Sequence, residues 1–237
     1  KDYLRQKGYY KFYPEGSESF VFVKVESNLI DFTTEDKIKS TLLKELEESK
    51  QSEVYEFLAV NTRYFKEDYL NILDAISVSM KQDTREAAYC YYRNCIVEVT
   101  EKGLDTIKYI DLDGYVWKDS VIDRDFSISD NHTNDYQTFI RRISGDNQNN
   151  VLSFETTIGY LMHGFKNKGY SPAVILNDEV ISENPEGGTG KGIIVDALKN
   201  LKKVVILDGK SFDKNKSFAY QVVTTSTQVL VFDDVKK

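Results

Sequence analysis

Asn184-Pro185-Glu186-Gly187-Gly188-Thr189-Gly190-Lys191-Gly192 decides how the rest of the chain is read. Three glycines in four positions let backbone N–H groups turn inward and wrap an anionic oxygen, which side chains would obstruct. Lys191 follows at the position from which an ammonium group reaches the β- and γ-phosphates of a nucleotide. Ile193 to Leu201 then carries apolar residues at helical spacing, so the positive end of a helix would face the same phosphates. Upstream, Ala173-Val174-Ile175-Leu176 predicts a short buried strand, and the strand before the loop ends near Leu176 or, after an irregular Asn177-Asp178-Glu179, near Ile181. Strand, glycine-rich loop and helix together make the context that a phosphate-binding loop requires. The competing reading is a flexible glycine-rich turn with a solvated lysine.

Two positions depart from the full pattern. Pro185 stands where the loop normally opens on glycine, and the chain needs only to turn there. Gly192 stands where Ser or Thr normally supplies a hydroxyl to Mg²⁺, so one direct ligand is missing and water or another residue must fill in.

A second motif lies downstream in Val229-Leu230-Val231-Phe232-Asp233-Asp234. Four apolar residues predict a strand buried on both faces of a parallel sheet. Two carboxylates at its C-terminal end fall where α/β sheets bind ligands. Asp233 is the candidate Mg²⁺ ligand, through water, and Asp234 the candidate for polarising an attacking water. An acidic turn after a core strand is common by itself, so this motif gains its meaning from the glycine-rich loop before it. Val204-Val205-Ile206-Leu207-Asp208 predicts one more strand between them, and Phe218 to Thr225 a crossover helix despite its β-branched content.

The residues before the loop predict mixed α and β structure. Tyr9 to Tyr13 and Phe20 to Val25, parted by Pro14-Glu15-Gly16, read as paired strands, with a third at Leu29 to Phe32. Thr34 is a predicted N-cap, and Ile38, Leu42, Leu43 and Leu46 a helical stripe behind it. Val54, Phe57 and Leu58 predict a further helix, and Tyr69, Ile72, Leu73 and Ile76 a short one. Ile96 to Val99 and Thr106 to Ile110 read as partner strands, with Tyr115-Val116-Trp117 as a third. Tyr136, Phe139, Ile140 and Ile143 form a helical stripe, and Val151 to Met162 predicts another helix. The fold expected is α/β: a parallel-sheet core of P-loop type over residues 131–237, preceded by a smaller mixed α+β domain over residues 1–130.

Composition narrows the function classes. The chain has 237 residues with 41% hydrophobic and 13% aromatic content, enough for a real core. A net charge of −7 argues against a surface coated for duplex binding, although it leaves a local basic patch open. Two cysteines, Cys90 and Cys95, and two histidines, His132 and His163, make neither a disulfide framework nor a four-ligand zinc site. No apolar run reaches the length of a membrane span, and no signal peptide is evident. A cytoplasmic protein is expected, with no membrane partner. The chain begins without Met and ends at Lys237, so it is expected to be part of something longer.

From about Asn134 onward, the chain resembles the superfamily 3 helicases of phages, plasmids and large DNA viruses. The resemblance is carried by Asn184 to Gly192, by Val229 to Asp234 and by the compact spacing between them. The ending at Gly192 is similar to a variant of phage primase-helicases. Lys7-Gly8-Tyr9-Tyr10-Lys11-Phe12 and Asp111 to Trp117 resemble the region preceding the motor in such proteins from Bacteroides-type phages and mobile elements. The resemblance implies an ATP-dependent motor in a bacterial host cell, using Mg²⁺. It also implies a homo-hexameric ring on single-stranded DNA. The cofactor contacts then fall on Pro185, Glu186, Gly187, Gly188, Thr189, Gly190, Lys191 and Gly192, with Lys191 and Asp234 catalytic and Asp233 at the metal. A sensor residue and an arginine finger are expected after Asp234. Without them, the chain alone is expected to bind nucleotide at best; such a finger is worth about 10³–10⁵ in rate.

Two rivals remain at this level. One is a P-loop phosphotransferase, disfavoured because no arginine follows Lys191. The other is a non-hydrolysing nucleotide-binding adaptor for DNA, which Gly192 favours and the retained Asp233 and Asp234 disfavour. Elsewhere, Arg141 and Arg142, and the cluster Lys199, Lys202 and Lys203, read first as solvated helix faces and second as DNA contacts. His163 reads as a helix-end residue. The Tyr9 to Tyr13 rings and Trp117 read as packing, and Asp123-Arg124-Asp125 as a surface ion-pair cluster.

Overall fold

A computed structural model describes residues 1–128, 134–177 and 188–235. In chain order its helices and strands are α1 (Asp2–Gln6), β1 (Tyr9–Phe12), β2 (Val21–Glu26), β3 (Leu29–Thr33), α2 (Glu35–Glu48), α3 (Ser52–Val60), α4 (Glu67–Leu70), β4 (Ala75–Ile76), β5 (Ala87–Tyr91), β6 (Ile96–Thr100), β7 (Gly103–Ile107), β8 (Val116–Trp117), α5 (Asp135–Ile143), α6 (Gln148–Met162), α7 (Lys191–Lys199), β9 (Val204–Asp208) and β10 (Val229–Asp233). They form mixed α/β structure in two compact units, Lys1–Lys81 with Tyr109–Asp119, and Gln82–Lys108 with Ser120–Lys237. Among the described residues no helix is long and apolar enough to cross a membrane.

The first unit is built on a five-stranded sheet in the order β4-β1-β2-β3-β8. Alternation in β1 and β2 places Tyr9 and Phe22 on the face that α2 covers, where they join Ile38, Leu42 and Leu46 in one cluster. Thr34 caps α2 as expected, its hydroxyl accepting from the Lys37 N–H at 3.3 Å. The β2–β3 turn places Ser27 and Asn28 at φ 47° and 63°, the paired positive values of a tight hairpin. Asn28 also donates from Nδ2 to the carbonyls of Tyr109 and Leu112, each at 3.0 Å. That fixes the segment leading to β8, which pairs in parallel with β3 and not with the β6–β7 hairpin. Tyr115-Val116-Trp117 therefore belongs to a different sheet from the one its sequence neighbours suggest. Trp117 stacks on Phe32 at 4.4 Å and meets Phe12 edge-on at 5.7 Å, which accounts for these rings as packing.

The second unit holds an antiparallel meander β5-β6-β7 and a parallel pair β9–β10. The meander packs Cys90, Tyr92 and Val97 against Leu201, just past the end of α7. Tyr89 and Glu98 face one another across β5 and β6, and the phenol donates to the carboxylate at 2.7 Å. Burial, first, and then Glu98 push the Tyr89 hydroxyl up to about 12, so it stays a donor at any physiological pH. β7 starts at Gly103, three residues earlier than the expected partner strand. Helices α5 and α6 are each opened by asparagine. Asn134 Oδ1 accepts from the Gln137 N–H at 2.8 Å, and Asn147 Oδ1 from the Asn149 N–H at 2.9 Å.

Three expectations fail here. Ala173 to Leu176 is not a strand, and Ile175 is 79% exposed; the alternative end near Ile181 lies outside the described residues. Phe218 to Thr225 forms successive turns instead of a helix, with Phe218 at φ 67° and 82% exposed. β10 is buried at Val229 only and grows more exposed toward Phe232 and Asp233, so it is not buried on both faces. An apolar run becomes a strand only where a neighbour supplies its ladder hydrogen bonds. β9 finds that neighbour in β10; no described strand lies beside residues 173–176. In Phe218 to Thr225, the run Val222-Val223-Thr224-Thr225 stiffens the side chains against helix formation.

Candidate functional site

The glycine-rich loop is described from Gly188 onward; Pro185, Glu186 and Gly187 lie outside the described residues. Gly188 and Gly190 take φ of 76° and 90°, a region that only glycine enters freely. Gly190 is the N-cap of α7, its carbonyl accepting the Ile193 N–H at 3.0 Å. Lys191 is the first residue of the helix and Gly192 the second, so the loop feeds directly into a helix N-terminus. The Lys191 ammonium donates to the Thr189 hydroxyl at 2.9 Å, folding back over the loop that precedes it. A neighbour from another element shapes this turn: a methyl group added at Gly190 would lie 2.9 Å from the Phe139 ring of α5 and 3.7 Å from Ile143. The stripe Tyr136, Phe139, Ile140 and Ile143 predicted as a helix face thus serves partly as the floor of the loop. The sequence carries that signal only as apolar periodicity.

The acidic end of the parallel pair is assembled by register. Asp233 of β10 lies directly opposite Asp208 of β9, and Asp234 follows at φ 54°. Between the strands, the Gly209 N–H donates to the Asp233 carbonyl at 2.6 Å. A Cβ at Gly209 would come within 2.7 Å of that oxygen and 2.9 Å of Val235 Cα, so only glycine permits this closure. Sequence reading named Asp233 and Asp234 and missed Asp208, whose partner is set by strand pairing. It also missed Lys210, which pairs with Asp234 at 2.8 Å. Both side chains of that pair are well over half exposed, so it is weak in water and does not lock Asp234 away.

Asp208 is held below the ordinary carboxylate range, first by the Ser211 hydroxyl, which donates at 2.7 Å, and next by the Lys210 backbone N–H at 3.0 Å. A carboxyl whose folded pKa lies below its unfolded value of about 3.9 adds stability above that value. The contribution is lost as pH falls through the folded pKa, so the pH dependence appears only in acid. Ser211→Ala is expected to move the Asp208 titration upward, read from its carboxyl carbon by NMR. An unmoved midpoint would show that the hydroxyl is not the cause.

Among the described residues no group of three or more His, Cys, Asp or Glu is placed to hold a metal. That is compatible with Mg²⁺, which is commonly held by one or two carboxylates together with water and substrate phosphates. Asp233 and Asp208 could supply such a partial set.

Other singled-out residues fall away from this chemistry. Lys202 is not on a solvated face; its side chain is 2% exposed and is paired with Asp83, so it makes no DNA contact. Lys199 pairs with Asp196 at 2.7 Å, and Arg141 and Arg142 are exposed on α5. His163 caps α6 and places Nε2 2.6 Å from the Thr84 carbonyl. The ion pairs near Asp123 and Asp125 are made by Arg93, while Arg124 instead lies over the Tyr92 ring and donates to the Asn200 carbonyl. Comparison with protein-family models finds no match for this chain, and comparison with curated proteins finds none either.

Proposed function

We propose that this chain is the nucleotide-binding part of an ATP-dependent DNA helicase of the primase-helicase kind, serving replication of a phage or mobile element. The observation that carries the reading is the left-handed Gly190 cap that starts α7 at Lys191, followed in the chain by a parallel strand pair ending in Asp208 and Asp233. α7 has nine residues, about 14 Å of helix, and β9 has five, about 17 Å of strand. Only residues 200–203 join them. If the chain reverses there, these lengths bring the Gly190 cap level with the carboxylates at the strand ends.

In this reading, backbone N–H groups from Gly188 to Gly192 and the helix N-terminus hold the phosphates of ATP, and Lys191 moves from Thr189 onto them. ATP supplies the anhydride bond to be broken, and Mg²⁺ offsets charge on its phosphates. Asp233, with Asp208 opposite, would hold the ion through water, and Asp234 would orient the attacking water once it leaves Lys210. A homo-hexameric ring around single-stranded DNA completes the proposal. The adaptor reading keeps one specific support, since Gly192 offers no hydroxyl.

The test is titration of the chain with ATP and Mg²⁺ by calorimetry. Lys191→Ala is expected to weaken binding about 10- to 100-fold, since a hydrogen bond to a charged group contributes about 1.5–3 kcal/mol. ATP hydrolysis by the full-length protein is expected to be stimulated by single-stranded DNA and lost in Lys191→Ala. Binding indifferent to Lys191→Ala would remove the nucleotide site. Hydrolysis indifferent to DNA in the full-length protein would favour a phosphotransferase, and tight binding with no hydrolysis the adaptor.

A further inference from the structure

The segment His163-Gly164-Phe165-Lys166-Asn167-Lys168-Gly169-Tyr170 follows α6 and takes no part in the site above. It borders a cleft of about 670 Å³ lined by three cations, Arg85, Lys166 and Lys168, and three rings, Tyr160, Phe165 and Tyr170. No carboxylate lines it, in a chain whose net charge is −7. The nearby Asp83 carboxylate is already spent on Lys202 and on the N–H groups of Tyr89 and Gly164, at 3.6, 2.9 and 2.6 Å.

The loop is held in shape before any ligand arrives. Its first residues are fastened beside Arg85, through His163 to the Thr84 carbonyl and Gly164 to Asp83. Asn167 organises its tip. The Asn167 carbonyl accepts from the Tyr170 N–H at 3.0 Å and from the Ser171 hydroxyl at 2.9 Å, while its side chain accepts from the Gly169 N–H at 2.9 Å. Tyr160 is anchored at its hydroxyl to the Pro172 carbonyl at 2.9 Å, and Lys166 sits over its ring at 4.1 Å, its ammonium donating to the Tyr160 and His163 carbonyls and keeping its third N–H for a ligand. Tyr170 and Phe165 are left 75% and 41% exposed. Exposed rings on a tethered loop, interleaved with cations and free of acids, match alternating bases and phosphates of a flexible strand. A duplex, whose bases are stacked on one another, could use only the cations.

We propose that this cleft binds single-stranded DNA, with bases stacked on Tyr170 and Phe165 and phosphates neutralised by Arg85, Lys166 and Lys168. The choice of DNA as the strand rests on the proposed motor; the stacking and charge pattern does not. The test therefore omits nucleotide: a fluorescein-labelled dT oligonucleotide is titrated with the full chain, followed by anisotropy between 50 and about 200 mM salt, a range over which phosphate contacts are felt. Three phosphate contacts give an expected slope of log K against log salt of about −2. Phe165→Ala with Tyr170→Ala is expected to weaken binding at least about 10-fold, because each stacked base contributes about 1–3 kcal/mol. Tyr170→Phe, which keeps the ring, is expected to bind as the parent does. Arg85→Ala with Lys168→Ala is expected to flatten the slope by about 1.4. The changed side chains other than the half-exposed ring of Phe165 point largely to water, and unaltered thermal melting confirms folding. Absence of binding at 50 mM salt, equal binding by both double variants, or a duplex binding as tightly as the single strand would each overturn the proposal. ATP binding lost in Lys191→Ala with this cleft inert would leave the motor standing and remove only the DNA site.

Discussion

Lys202→Met is expected to destabilise the second unit by about 3–5 kcal/mol, the usual consequence of removing one partner from a buried ion pair. The Lys202 side chain is 2% exposed and that of Asp83 6%. The ammonium lies 3.6 Å from the carboxylate and donates to the Tyr89 carbonyl at 2.7 Å. Methionine fills similar volume but leaves the Asp83 charge buried with two backbone donors and the Tyr89 carbonyl without its partner. A domain holds only about 5–15 kcal/mol in total, so the loss should be visible as a large fall in the urea midpoint. The double variant Lys202→Met, Asp83→Asn is expected to recover part of the loss, since no unpaired charge then remains. Equal costs for single and double variants would mean that packing of the lysine stem, and not the charge, is what the site needs. The position matters beyond stability. Lys202 sits between α7 and β9 and bonds to β5, so it ties the end of the helix that Lys191 begins to the meander sheet.

That lysine also shows where sequence reading stops. Lys199, Lys202 and Lys203 look alike in sequence, a basic run after a helix, and nothing local says that one of the three is enclosed. What encloses Lys202 is Asp83, more than a hundred residues earlier, together with the strand that follows it. Elements set by local pattern were legible: α2 from its Thr34 cap and the stripe Ile38, Leu42, Leu46; α7 from a glycine cap ahead of Ile194 and Leu198; β9 and β10 from short apolar runs ending in aspartate. Partnership was not. β8 looks like a third strand of the β6–β7 hairpin, yet Asn28 draws its segment to β3. In the candidate site the same division holds. Gly190, Lys191 and Asp233 are marked by residue type and spacing. Asp208, Lys210 and Phe139 enter through register, an ion pair and a packing contact, which residue type does not announce.

Gly190→Ala is expected to cost nucleotide affinity far more than its single added methyl group suggests. Gly190 holds φ 90° and ψ 0° as the cap of α7. A residue with Cβ gives up about 1–2 kcal/mol in left-handed backbone, and overfilling a packed contact typically costs about 1–3 kcal/mol more. The second term arises because the new methyl would press to 2.9 Å on two atoms of the Phe139 ring. That ring lies beside Tyr136, with ring centroids 6.0 Å apart on the same helix. The loop is the softer partner, so it should abandon the cap, and the N–H groups from Thr189 to Gly192 would then lose their common direction. A penalty of about 2 kcal/mol falling on the bound geometry corresponds to about a 30-fold weaker Kd for ATP. Calorimetry on Gly190→Ala measures it, with thermal melting to show that the unit remains folded. Adding Phe139→Leu removes much of the steric term and none of the backbone term, so affinity should return only in part. Full recovery would assign the whole effect to the ring. No recovery would assign it to φ alone, and an unchanged Kd in the single variant would mean that this turn does not hold the phosphates at all.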